Sequence, residues 1–275
     1  MKEYNDRIIA LITDFGIKGA HYIASMKAII LKISPMAKII DISHTITPFS
    51  IIEALYILKT SYFYFPKGSI FIIVVDPGVG SERDILILET EDNYYFIGPN
   101  NGIFTCISHN IVNCFCANNK NYFNKPISNT FHGRDIMAPI AAYLYNRIEP
   151  NEFGPKFNVN NILQLTLDFK IINNQEIEGF IQYIDSFGNA ITNIEINNDN
   201  IANSNIFLEN GQKLKLYINN NEYTCNYSLY FESMPENSLL IIKGSTEYLE
   251  ISINKGNASD KLNIYTGDKI KIKFD

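Results

Sequence analysis

Two aspartates end apolar runs. Asp14 follows residues 8–12 in Thr13-Asp14-Phe15-Gly16, and Asp76 follows residues 70–75 in Asp76-Pro77-Gly78-Val79-Gly80. In an open α/β sheet, ligands bind beyond the carboxyl ends of the strands, where both acids stand. Each also suits the plainer role of capping the turn or helix that follows. Arg83 returns seven residues after Asp76, across a glycine-containing turn. A carboxylate and a guanidinium on two sides of one turn orient each other or share a water. The turn lacks Gly-Lys-Ser/Thr, which argues against a phosphate loop and ATP hydrolysis. His132 stands in Thr130-Phe131-His132-Gly133-Arg134-Asp135, in a loop just before a helix start. An imidazole there is either structural or a proton carrier near neutral pH. Asp185-Ser186-Phe187-Gly188-Asn189 reads as a turn, or as an acid and an amide offered to a ligand at the edge of a second domain. His44 in Asp41-Ile42-Ser43-His44 raises the question of a metal, but no HExxH or comparable ligand spacing accompanies it.

The elements that must position these residues alternate in period. Residues 8–12, 38–42 and 70–75 read as strands, the last of them buried on both faces. Between them, Ile23, Met26, Ile29/Ile30 and Ile33 repeat at helical spacing before Pro35. Ser50 with Glu53 predicts a capping box at the start of a second helix, with Leu55, Leu58 and Tyr62 on its buried face. Further strands are expected at residues 85–88 and 94–97, and a third helix at 135–146 with Pro139 near its first turn. Strand–helix alternation predicts an α/β layer with a mostly parallel sheet and flanking helices. The second half changes character. Leu214/Leu216/Ile218, Leu249/Ile251/Ile253 and Ile270/Ile272/Phe274 alternate with other residues between Asn- and Gly-containing turns. That period of two predicts an antiparallel, β-barrel-like domain. The expected division is an N-terminal α/β domain over residues 1–165 and a C-terminal β domain over 175–275.

Composition narrows the function classes. The 275 residues are 46% hydrophobic, and 23 Lys+Arg against 29 Asp+Glu give a net charge of −6. No basic stripe invites nucleic acid. The apolar run at 8–12 is shorter than a signal-peptide core and that at 70–75 shorter than a membrane span, so a cytoplasmic protein without a membrane partner is expected. Cys106, Cys114, Cys116 and Cys225 form no CxxC pair, so buried thiols are expected rather than a zinc knuckle or disulfides.

Taken in order, these segments resemble one family, the S-adenosylmethionine hydroxide adenosyltransferases, relatives of the fluorinases and chlorinases. The segments are Thr13-Asp14-Phe15-Gly16, Asp41-Ile42-Ser43-His44, Val75-Asp76-Pro77-Gly78-Val79-Gly80, Gly98-Pro99-Asn100-Asn101-Gly102, Thr130 to Asp135, Asp185 to Asn189 and Tyr248-Leu249-Glu250-Ile251. The resemblance implies hydrolysis of S-adenosylmethionine to adenosine and methionine by a catalytic Asp76, Arg83 and His132. It implies a homotrimer with sites between subunits, and neither metal nor cofactor. It assigns Asp14 to the ribose hydroxyls, Asp185 to the methionine ammonium, Asn189 to the adenine edge and Ser245 to the methionine carboxylate. Phe131, Phe187 and Tyr230 are candidate packing surfaces for the ligand, or core aromatics. His132-Gly133 replaces the Tyr-Ser of the halogenating branch, which argues against a halogenase. Two departures stand out. Gly19 occupies a region where the family carries an acid, and Ser245-Thr246-Glu247 replaces a small Ser-x-Gly turn. The alternatives are a sensor that binds without turnover and a metal-dependent hydrolase built on Asp14, Asp41, His44 and Asp76.

Overall fold

A computed structural model describes residues 7–274. The chain divides into two compact units, residues 1–165 and 166–275.

The first unit is built on a six-stranded sheet. Its strands are β1 (Ile9–Thr13), β2 (Ile39–Ser43), β3 (Ile70–Val74), β4 (Ile85–Thr90), β5 (Tyr95–Pro99) and β6 (Ile111–Cys116), in the order β2-β1-β3-β5-β4-β6. The pairs β1–β2, β1–β3 and β3–β5 are parallel, whereas β4 pairs antiparallel with both β5 and β6. The expected mostly parallel sheet is present, with β4 alone running against the other five strands, because β4 and β5 are joined by a tight turn at residues 91–94 that leaves no room for a crossover helix. Every residue of β1 and β3 is buried. Helices α1 (Ala20–Ile33) and α3 (Ala138–Tyr145) cover one face, packing Met26, Ile30, Ile140 and Leu144 against Ile9, Leu11, Ile70 and Ile72. On Phe71, which stacks on Phe96 at 5.0 Å, a cluster of tilted and edge-on aromatics includes Tyr62 and Tyr94.

Helix α2 (Ile51–Ser61) starts as expected at Ser50, whose Oγ accepts the Glu53 N–H at 3.4 Å. The Ser50 N–H donates to the Thr47 carbonyl at 2.9 Å. Glu53 Oε2 accepts the Thr47 N–H at 2.8 Å, which ties the preceding loop to the helix. The third helix also differs from expectation. Residues Gly133–Met137 form a π-helical turn before α3 begins. The wide turn accommodates Asp135, which points inward, is fully buried, and accepts from Arg134, Asn124 Nδ2 and Ser128 N–H.

The second unit carries β7 (Lys170–Asn173), β8 (Glu176–Ile184), β9 (Ala190–Asn197), β10 (Asn200–Ile201), β11 (Lys213–Ile218), β12 (Asn221–Ser228), β13 (Leu239–Lys243), β14 (Tyr248–Ile253) and β15 (Lys269–Phe274), with a short α4 (Ala258–Leu262). The order β9-β14-β13-β12-β11-β15-β8 is closed by pairing β8 to β9, giving a seven-stranded barrel. All its pairings are antiparallel except β12–β13, which run parallel. The alternating residues seen in the sequence fill its interior: Leu214, Leu216, Ile218, Leu249, Ile251, Ile270, Ile272 and Phe274 all belong to one buried cluster. Closure gives each of the seven barrel strands a neighbour on both sides, while β7 and β10 extend the sheet beside β8 and β9. Cys114 and Cys225 are buried, Cys106 and Cys116 are half-buried, and all four are free thiols.

Candidate active site

Parallel pairing of β1 with β3 sets Thr13 against Val74, so the two chains leave the sheet side by side. Asp14 and Asp76 therefore emerge beyond neighbouring carboxyl ends. After Asp76 the backbone folds tightly, with the Val79 N–H donating to Asp76 O at 3.2 Å and the Ser81 N–H to Gly78 O at 3.0 Å. Gly80 has φ +83°, and a Cβ there would collide with the carbonyl oxygen of Asn129. A glycine is thus required for the 76–83 turn to lie directly against the loop that delivers His132.

The turn brings Arg83 back onto Asp76. Arg83 Nε donates to Asp76 Oδ1 at 2.6 Å, and Nη2 donates to Oδ2 in a two-pronged pair. Both side chains are nearly inaccessible, at 11% and 5% exposure. The same Nη2 lies 3.1 Å from His132 Nδ1. A guanidinium has only donors, so His132 Nδ1 must present its lone pair and the ring proton sits on Nε2. Burial first, then the charge of Arg83, hold His132 below its ordinary value of 6.5, while the charges of Asp76 and Asp135 act in the opposite sense. Gly133 leaves no room beside it: a Cβ would sit 3.0 Å from Val74 Cγ1.

A cleft of about 250 Å³ opens on this group and is lined by Asp14, Phe15, Phe49, Asp76, Phe131 and His132, among others. Asp14 Oδ2 accepts the Phe49 N–H at 2.8 Å. Burial raises the Asp14 carboxyl above its ordinary range and the charge of Asp76 adds to this, against the Phe49 hydrogen bond. Phe131 is held edge-on to Phe15 and Tyr22 at 5.7 and 5.2 Å, with the Arg134 guanidinium 5.0 Å over its ring. It is both cleft wall and packing aromatic.

The second unit contains Asp185, Phe187, Asn189 and Ser245. Asp185 Oδ1 accepts the N–H groups of Phe187 and Asn189, and Oδ2 accepts Asn189 Nδ2, each at 2.9 Å. These two residues thus satisfy each other in a tight turn. Phe187 projects from it at 77% exposure, beside Asn189 and Phe231 in an open groove of about 590 Å³. Tyr230 is also exposed. Ser245 is exposed in the turn between β13 and β14, where Glu247 pairs with Lys243 rather than standing as a free charge.

Sequence reasoning passed over Glu250. Its carboxylate folds against Gly244, where any Cβ would collide with it. Burial, and then the Asp185 charge, push this carboxyl up to about 7. The signal was present: an acid inside the Leu249/Ile251/Ile253 alternation faces away from the barrel core. The donor set of the metal-dependent alternative is not assembled. Asp41 is taken up by Lys27 Nζ at 2.6 Å and His44 Nε2 at 3.0 Å. Among the described residues no three or more His, Cys, Asp or Glu side chains come together as a metal site.

Residues 9–154 match the N-terminal domain of the SAM hydroxide adenosyltransferases, and residues 179–271 match the C-terminal domain. The chain belongs to this family. A family relative from Methanocaldococcus jannaschii, named (R)-S-adenosyl-L-methionine hydrolase, is 35% identical over 97% of this chain and 96% of its own length. One of the same name from Thermus thermophilus is 28% identical over 97% and 99%. A fluorinase from an Actinoplanes species is 27% identical over 68% of this chain and 71% of its own. Among solved structures, an uncharacterized conserved protein from Thermotoga maritima superposes with a TM-score of 0.86 at 31% identity, covering 97% of this chain and all of that one. Where the family pattern led us to expect an acid, Gly19 is buried and a Cβ would lie 2.7 Å from Phe15 Cβ. The departure at Gly19 is therefore matched by close packing against a residue of the cleft wall.

Proposed function

We propose that this adenosyltransferase-family chain hydrolyses S-adenosyl-L-methionine to adenosine and L-methionine. The observation that carries the reading is the Arg83 guanidinium bridging Asp76 and His132 at the wall of a cleft that also holds Asp14. The hydrolase names of relatives aligned over nearly the whole chain support it.

The substrate is a sulfonium. A water oxygen attacks ribose C5′, the C5′–S bond breaks, and its electron pair returns to sulfur as methionine leaves as a neutral thioether. The leaving group needs no proton. The entering oxygen becomes a strongly acidic oxonium and must lose one. His132 Nδ1 is committed to Arg83 and its other nitrogen carries the proton, so His132 holds the water while Asp76 accepts the proton. A carboxylate suffices as acceptor for so acidic a donor. General base assistance of this kind contributes about 10²–10⁴-fold. Alignment of water with the C5′–S axis contributes up to about 7–11 kcal/mol. No metal or cofactor enters this step.

Asp14 is assigned to the ribose diol, whose two hydroxyls one carboxylate can accept. Asp185, Asn189, Phe187 and Ser245 are assigned to the methionine and adenine ends, and Phe131 to the wall against the sugar. The finer reading is a homotrimer with sites between subunits and a cytoplasmic location. Family membership supports the first. For the second, no described helix is long and apolar enough to cross a membrane. Light scattering and cell fractionation test them.

Incubation of purified protein with each sulfonium epimer of S-adenosylmethionine, followed by chromatography, tests the activity. Adenosine and methionine in equal amounts are expected. Tight binding with intact substrate would make the chain a sensor and defeat the proposal.

A further inference from the structure

The Asp41-Ile42-Ser43-His44 motif takes no part in the proposed step, yet its side chains form a connected chain that ends at the Asp14 turn. Pairing of β1 with β2 slips by one residue, matching Leu11 to Asp41 and Ile12 to Ser43. The slip leaves Ile42 without a partner and changes the alternation, so that residues 41 and 44 meet on one side. His44 Nε2 lies 3.0 Å from Asp41 Oδ1, while Lys27 Nζ holds Asp41 Oδ2 at 2.6 Å. His44 Nδ1 lies 2.9 Å from Thr13 Oγ1, which accepts the Phe15 N–H at 3.4 Å. The His44 carbonyl accepts the Gly16 N–H at 2.7 Å.

His44 Nε2 faces Asp41 Oδ1 in a close contact without hydrogen-bond alignment, whereas Nδ1 and the Thr13 hydroxyl share one hydrogen bond and the Thr13 oxygen also accepts the Phe15 amide. Thr13 is fully buried and the His44 side chain is 14% exposed, so water offers these groups little substitute. Residue 44 grips the turn on both sides of Asp14, by its ring at Thr13 and by its carbonyl at Gly16. Among the described residues, the Asp14 carboxylate has a single hydrogen bond from another residue, the Phe49 N–H. Its direction is otherwise set by the backbone that His44 holds. His44 is not among the residues lining the cleft.

We propose that His44 is a positioning residue, which with Asp41 and Thr13 aims the Asp14 carboxylate at the ribose hydroxyls of the substrate. The proposal rests on the assignment of Asp14 to those hydroxyls. It sets the preference for an intact ribose apart from the chemistry at C5′, which belongs to Asp76, Arg83 and His132.

The test measures calorimetric dissociation constants for adenosine and 2′,3′-dideoxyadenosine, and takes their ratio. It needs no turnover. Wild-type protein is expected to prefer adenosine about tenfold or more, and Asp14→Asn to lose most of that preference. His44→Phe is expected to bring the ratio to within about twofold of Asp14→Asn, and to add nothing in the double variant, as coupled neighbours do. His44→Gln, which keeps a donor and an acceptor, should restore part of the ratio. A merely structural role would weaken both nucleosides alike and leave the ratio unchanged. That result with Asp14→Asn still deficient overturns the proposal and spares the Asp14 assignment. A wild-type protein indifferent to the hydroxyls overturns the assignment and the proposal with it. Should His44→Phe melt below the working temperature, Asp41→Asn and His44→Gln carry the same ratio test.

Discussion

The two units hold their polar residues in different ways. In the first, Asp76 and Arg83 pair across one turn, and His132, 49 residues beyond Arg83, joins them where two loops are packed together at Gly80 and Asn129. In the second, Asp185 and Asn189 are four residues apart and bond each other within one turn. The first arrangement stores charge out of water in a geometry that local structure alone would not produce. The second is what an Asx-type turn produces anyway. A desolvated, long-range charge cluster therefore points to chemistry more strongly than a self-satisfied turn does.

Variants can break that contrast, and the largest effect belongs to the long-range cluster. Asp76→Asn keeps the shape but removes the proposed proton acceptor, and kcat is expected to fall about 10²–10⁴-fold by single-turnover assay. Arg83→Lys keeps the charge but not the fork, and should sit between wild type and Asp76→Asn. Equal activity of either variant with wild type would dissolve the cluster's claim.

Gly80→Ala comes next. It forces a side chain into left-handed backbone against Asn129 O, and a loss of about 2–4 kcal/mol is expected, read as a lowered Tm together with lost turnover. An unchanged melt would mean the two loops are not locked.

The pH profile sharpens the contrast further. His132 is held below 6.5, so as pH falls through 6.5 the unfolded chain takes up a proton before the folded one does. Stability from the neutral imidazole is complete above 6.5 and declines below it. Turnover should stay level through 6.5 and fall only at lower pH, where a protonated ring would face Arg83. A midpoint at or above 6.5 would contradict the Arg83–His132 contact.

The smallest effect is expected in the turn. Asp185→Ala removes three accepted hydrogen bonds from a partly exposed site and should cost about 1–2 kcal/mol in denaturant unfolding. If the KM for S-adenosylmethionine is unchanged, the residue is only a turn former, and the methionine ammonium must find Glu250 or another acid. A raised KM beyond the stability loss would place it in the ligand's reach.

Much of this was legible along the chain. Apolar runs followed by Asp14 and Asp76 marked strand ends, period two marked the barrel, and Ser50 marked a helix start. The reversal of β4, the π turn at Gly133–Met137 and the reach of Glu53 to Thr47 were not legible. Each depends on which partner lies opposite, and spacing along the chain does not contain that.

The sequence by itself determined the two-part organisation, the apolar faces and the residue types available for chemistry, because periodicity and turn chemistry act over a few residues. Only the tertiary structure decided that Arg83 would share one guanidinium between Asp76 and His132, which nitrogen of His132 would carry the proton, and that residue 44 would grip the Asp14 turn. The Arg83–His132 and Thr13–His44 contacts join residues 49 and 31 apart in the chain, brought together by parallel pairing of β1 with its neighbours and by burial that strengthens each polar contact.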